Sequence, residues 1–134
     1  MKTMETMDTF KKILYKCLSY LECDFNIFKN NKRERIKAQK YSYILQNTLG
    51  LQVGKFSLYL NGPYSASLAD DLFDIADHQE ELSDNMTVKP LKKGPKVLLD
   101  KIKEIFILED SAEPEEVDLL ELYTTYDFLK ENFP

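Results

Sequence analysis

KFSLYLNGPYSASLADDL, Lys55 to Leu72, changes its periodicity halfway along. Phe56, Leu58 and Leu60 alternate with Lys55, Ser57 and Tyr59, the period of two that belongs to a strand. Pro63 then removes a backbone N–H, fixes its own φ and pushes the residue before it out of the α region. Gly62, one of only four glycines in the chain, lets the backbone turn sharply there. Beyond it the spacing becomes helical, with Leu68, Leu72, Ile75, Ala76 and Leu82 on one face. Ser67 and Asp70 form an S-x-x-D capping-box variant at its start, and the pattern predicts one helix from Ser67 to about Glu81. The opposite face carries Asp70, Asp71, Asp74, Asp77 and His78. Gly62-Pro63 is therefore expected to be an architectural corner that ends the strand and aims the helix, with Tyr64 packed against the helix before it.

That preceding helix is the unusual one. RIKAQKYSYILQNTLG runs at helical spacing and stops at Gly50, a C-terminal cap. At 100° per residue Ile36, Tyr43 and Ile44 make one apolar side, and Ala38, Tyr41, Leu45 and Leu49 make nearly the opposite one. A helix apolar on two sides must be sandwiched. Gln39, Ser42 and Gln46 form a narrow polar strip between the sides, and Lys40 falls within the Ile36 and Tyr43 stripe. Lys40 is read as structural, its amine reaching a carboxylate at the core edge. Upstream, Phe10, Ile13, Leu14, Cys17, Leu18 and Leu21 predict an amphipathic helix from about Asp8 to Cys23, followed by a polar connection, NIFKNNKRER.

Downstream, NMTVKPLKKGPKVLLDKIKEIFIL predicts an extended segment, a basic turn through Gly94, and a helix with Pro95 near its first position. Leu98, Ile102 and Ile105 form its stripe. A last helix begins near Pro114, and Leu119, Leu122, Tyr123, Tyr126, Leu129 and Phe133 line one of its sides. The order is helix, helix, strand, helix, extended turn, helix, helix. The predicted class is mainly α (α+β): a compact helical domain with a short β-strand or wing element.

Composition sets the frame. A chain of 134 residues, 43% hydrophobic, suits a single domain spanning residues 1–134. No apolar run approaches the roughly 18 residues of a membrane helix, and MKTMETMDTF has acids where a signal peptide is apolar, so a cytoplasmic location is expected. Cys17 and Cys23 lie about 9 Å apart along a continuous helix at about 1.5 Å per residue, beyond disulfide reach. With one histidine besides, no zinc-ligand spacing occurs. The net charge of −5 is segregated. Lys29 to Lys40 and Lys89 to Lys103 each hold six bases against one acid, whereas Asp70 to Asp84 has seven acids and no lysine or arginine. Glu104 to Pro134 has ten acids against Lys130.

Two stretches carry a family resemblance. KAQKYSYILQNTLGL and KFSLYLNGPYSASLADDL resemble the YwgA-like bacterial proteins in the order of a Lys-Gln-Lys-Tyr helix, an aromatic strand and a Gly-Pro-Tyr-Ser turn. A looser similarity reaches the SocA-like or Panacea antitoxin domains, and LLELYTTYDFL looks like their C-terminal helix. The resemblance covers residues 33–134 and leaves an N-terminal helical segment, 1–28, outside it. Asn61 before the glycine departs from the pattern. VKPLKKGPKVLLDKI also looks like the wing and following helix of winged-helix proteins, with Lys92 where a threonine is common. The resemblance implies a winged-helix-like helical domain without catalytic chemistry, whose relatives bind a toxic protein or bring it to a protease, in phage or mobile-element settings.

The residues themselves offer no catalytic constellation, cofactor motif or metal set. Gly50, Gly54, Gly62 and Gly94 are scattered singly, so there is no phosphate loop, and His78 has no nucleophile spaced to pair with it. The expectation is a non-enzymatic protein-interaction module, antitoxin-like or a regulatory subunit, for a basic partner such as a toxin or nuclease. Tyr64, Ser65, Asp70, Asp71, Asp74 and Asp77 are its candidate contacts. The alternative is a winged-helix transcription regulator whose Lys89, Lys92, Lys93 and Lys96 meet phosphate. Against it, aspartates on the helix that would enter the groove repel the backbone.

Overall fold

The computed structural model describes residues 9–86, 93–107 and 113–133. Among them the chain is mainly helical with one small antiparallel hairpin. The elements are α1 (Thr9–Tyr20), a 3₁₀ turn (Phe28–Asn30), α2 (Lys32–Leu49), β1 (Ser57–Tyr59) and β2 (Gly62–Tyr64). Then come α3 (Ala66–Asp77), α4 (Gln79–Met86), α5 (Lys93–Phe106) and α6 (Glu113–Asn132).

α1 buries Leu14, Cys17 and Leu18 and ends three residues before the expected Cys23. Its terminus is a Schellman motif: Cys23 N donates to Leu18 O and Glu22 N to Ser19 O, both at 3.0 Å. Glu22, at φ 67°, occupies the left-handed position that usually calls for glycine. The polar connection that follows is not all polar in effect. Phe25 and Phe28 are buried in the core, their rings 5.5 Å apart, and both thiols are free and buried.

α2 is the axis of the fold. Asn31 caps it by accepting from Glu34 N at 3.0 Å, and Gly50, at φ 73°, closes it. Residues from Lys37 to Leu45 are all buried, so the helix is sandwiched as its two apolar sides predict. α1, α3, the hairpin and α6 surround it. The polar strip is inside as well, and its job is to hold backbone. Gln39 exchanges two bonds of 3.0 Å with the N–H and C=O of Ser65, and Gln46 Oε1 accepts from Val53 N and Gly54 N. The partner of Lys40 is not a carboxylate: its amine donates to Pro63 O at 2.8 Å. Segment 53–65 has only the short hairpin as regular structure, and α2 supplies the partners that its remaining buried backbone needs away from water.

The hairpin corrects the expected corner. Pro63 and Tyr64 do not simply leave a strand; they form a second one, paired Ser57↔Tyr64, Leu58↔Pro63 and Tyr59↔Gly62. Leu60 and Asn61 make the turn at negative φ, and Gly62 provides the positive value, 97°. A Cβ at Gly62 would sit 2.6 Å from Thr125 Oγ1, so the glycine is required by conformation and by the close approach of α6. The alternation Phe56, Leu58, Leu60 buries no strand face, since Ser57 to Leu60 are all exposed.

α3 begins two residues earlier than its expected capping box. Ser65, not Ser67, is the N-cap and accepts from Leu68 N at 3.2 Å. The predicted single helix is two, because His78 terminates α3 by placing Nδ1 2.8 Å from Asp74 O. Leu68, Leu72, Ile75 and Leu82 are buried as their spacing predicts. On α5 the buried set is Leu99, Ile102 and Phe106 rather than Leu98, Ile102 and Ile105. The basic turn expected through Gly94 is not found: Lys93 and Gly94 already belong to α5, which starts two residues ahead of Pro95, and the rest of the segment read as a wing, 87–92, lies outside the described residues.

α6 divides its apolar residues between two sides. The side lined by Leu119, Leu122, Tyr123, Tyr126, Leu129 and Phe133 faces outward, and the core receives Val117, Leu120 and Thr124.

Candidate functional site

Three surfaces compete. The first is the acidic face of α3. Lys11 Nζ lies 2.7 Å from Asp74 and 3.7 Å from Asp71, Lys29 pairs with Asp77, and His78 reaches the Asp74 carboxylate at 3.3 Å. Three of the four aspartates therefore tie α3 to α1 and to the 3₁₀ turn, and Asp70 is exposed. Ser65, 1% exposed, is capping α3 and bonded to Gln39, so it offers no contact surface.

The second is a cleft of about 340 Å³ between α2, the hairpin and α3. Tyr64 lies in its wall, half-buried, with its ring 5.0 Å from that of Tyr59. Phe73, edge-on to Phe28 at 5.2 Å, forms the opposite side. The cations Lys32, Arg35 and Lys40 also line it, and the lining contains no carboxylate. Burial, offset in part by Glu121, pulls the Lys40 amine down to about 8.

The third is the outward face of α6. Leu122, Tyr126 and Phe133 are 70%, 64% and 72% exposed. The helix bearing them holds seven acids against Lys130 alone. Next to it, Tyr43, Asn47 and Asp127 floor an open depression of about 550 Å³ between α2 and α6; Tyr43 and Asn47 both donate to the Asp127 carboxylate, at 2.8 and 3.0 Å.

The inner side of α6 is held by a buried ionic cluster. Tyr41 donates to Glu116 at 2.5 Å, and Lys37 lies 3.5 Å from Glu116 and 3.4 Å from Glu34. Burial pushes the Cys17 thiol up to about 11 and raises Cys23 further, so neither is a thiolate near neutral pH. Among the described residues no group of three His, Cys, Asp or Glu is placed to hold a metal ion. None of the described helices is long and apolar enough to cross a membrane.

Of the lysines considered for DNA, Lys96 is exposed on α5 and Lys93 begins that helix, whereas Lys89 and Lys92 lie outside the described residues. Sequence reasoning grouped the residues of the α6 face on one side of the helix, and the structure turns that side outward. It missed the cleft, because the hairpin that closes it was read as a corner. Compared with known proteins, the chain matches no family model, no curated protein and no solved structure.

Proposed function

We propose that this protein is a non-enzymatic interaction module that binds a basic partner protein through the outward face of α6. The observation that carries this reading is the stripe Leu122, Tyr123, Tyr126, Leu129 and Phe133, exposed on one side of α6 from its midpoint to the residue after it. Large apolar side chains aligned on a helix are costly to leave in water, and an apolar face of this kind fits a groove on another protein. The chemistry of the helix selects the occupant. Asp118 and Glu131 are exposed on a helix that is strongly acidic overall, so a second copy meeting the same face would set like charge against like charge. A partner with an apolar groove rimmed by lysine or arginine meets both features. The resemblance to antitoxin domains points the same way, toward a basic toxin or nuclease.

The test places a photo-cross-linking residue at position 126 and, as a control, at the exposed position 19 of α1, in the cells the protein comes from. The expected product, specific to position 126, is a basic protein that binds the purified chain and loses at least tenfold in affinity to a Leu122→Ser/Tyr126→Ser variant. Identical products from positions 126 and 19, a cross-link only to a second copy, or unchanged affinity in the double variant would each refute the reading.

A further inference from the structure

We infer that the cleft between α2, the hairpin and α3 binds a small organic anion: one carboxylate carried on an aromatic or branched apolar body. This rests on different residues from the α6 face and stands or falls separately.

The charge argument comes first. The chain carries a net charge of −5, yet Lys32, Arg35 and Lys40 meet in one concavity whose lining includes no aspartate or glutamate. Among the described residues the Arg35 guanidinium donates only to the backbone carbonyls of Phe28 and Lys29, at 3.2 and 2.8 Å, and the Lys40 ammonium only to Pro63 O. Lys32 is exposed and makes no hydrogen bond or ion pair with the described residues. Elsewhere in the molecule Lys11, Lys29, Lys37 and Lys103 each face a carboxylate. Lys32 and Arg35 meet at this opening without facing a carboxylate, and Lys40, buried in the lining, has Glu121 as its acidic neighbour; a lining with this excess of positive charge complements an anion brought from outside.

The shape argument fixes the rest of the ligand. Ile36, Leu72 and Phe73 form one apolar wall and the tilted pair Tyr59 and Tyr64 the other. Tyr59 is 59% exposed and Phe73 38%, so ring faces already border open space at the mouth. A volume of about 340 Å³ is at the small end of ligand pockets, matching a body of one fused ring pair and not an extended polymer. Arg35 brings to the cationic end a guanidinium with N–H groups beyond the Nη1 that holds Phe28 O and Lys29 O, a donor set that suits a carboxylate. The same enclosure that excludes water from the walls strengthens that contact.

The experiment uses the full chain with naphthalene-2-carboxylate as probe and naphthalene-2-carboxamide as its uncharged counterpart, followed by calorimetry and by two-dimensional amide NMR. The carboxylate is expected to saturate at one site, to shift amides of 32–40, 59–64 and 69–73, and to bind at least tenfold more tightly than the carboxamide. Lys32→Gln, at an exposed position without an internal partner, should weaken it severalfold at an unchanged melting temperature. Arg35→Gln should weaken it further. Leu122→Ser/Tyr126→Ser should leave it unchanged, which separates this site from the α6 face. Equal affinity for carboxylate and carboxamide, indifference to Lys32→Gln and Arg35→Gln together, shifts mapping to α6, or no saturable binding at all would each overturn the inference.

Discussion

α2 and α6 are both two-sided helices, and they resolve their second side in opposite ways. α2 carries glutamine, lysine and serine inward, where Gln39, Lys40 and Gln46 hold the backbone of segment 53–65. α6 carries leucine, tyrosine and phenylalanine outward, where Phe106 of α5 packs on Tyr123 and Leu122, Tyr126 and Phe133 stay largely exposed. Polarity alone therefore does not decide which side of a helix is the inner one. A buried polar group is tolerated when it satisfies another that would otherwise be orphaned, and an apolar face stays exposed when its cover comes from elsewhere.

The contrast is sharpest at the hairpin, which both helices touch. Gly62→Val should cost about 3 kcal/mol or more, because a β-branched residue resists φ near 97° and its Cβ would collide with Thr125 of α6. Urea unfolding measures it; a variant within about 1 kcal/mol of wild type would show that neither conformation nor α6 constrains this position.

Gln39→Ala tests whether the polar interior of α2 is structural. It leaves the N–H and C=O of Ser65 buried without partners, and a loss of about 2 kcal/mol is expected. A neutral result would mean that α2 does not template the hairpin. Ser42 makes the internal control: its hydroxyl is buried with no hydrogen-bond partner among the described residues, so Ser42→Ala should be neutral or slightly stabilising.

Lys40 yields a pH signature. Its amine is held near 8 when folded, against an ordinary value of 10.5. Below pH 8 both states bind the proton; above it only the unfolded chain does, so this group makes stability rise with pH. The rise is clearest between pH 8 and 9, because Cys17 and Cys23, protonated when folded but ionising near 9.0 when unfolded, oppose it at higher pH. Between about pH 8 and about pH 9, wild type should gain about 1 kcal/mol relative to Lys40→Met over the same interval. Parallel curves for the two proteins would remove the buried charge from the account.

The smallest effect is expected on the other side of the comparison. Tyr126→Ser, at a position 64% exposed, should change unfolding free energy by no more than about 0.5 kcal/mol while weakening partner binding. A large destabilisation would mean that the face is packed after all.

Much of α2 was legible in the residues: its two apolar sides, its anomalous polar strip and its glycine stop all follow from spacing. The hairpin was hidden by Pro63, since proline argues against a strand, and the pairing exists only as a short edge where no N–H is required at that position. The end of α1 was hidden because Glu22 stands where a glycine would have signalled the cap. Phe25 and Phe28 lie in a connection too short for any period to show. For α6 the period was clear and the direction was not: Val117 and Leu120 on one side and Leu122 and Tyr126 on the other are equally apolar, and only the tertiary neighbours choose between them. Lys11 and Lys29, distant in sequence from the aspartates they neutralise, left the acidic face of α3 looking freer than it is.

The contact between Gly62 and Thr125 has a kinetic consequence. The hairpin tip is tied to α6 there and through Asn61 Nδ2, which donates to Glu121 at 3.1 Å. An opening fluctuation that lifts α6 removes one of the hairpin's two anchors and leaves it held by α2 alone. Exchange of the Ser65 amide hydrogen, bonded to Gln39, then reports the opening of the α2 anchor separately from that of α6.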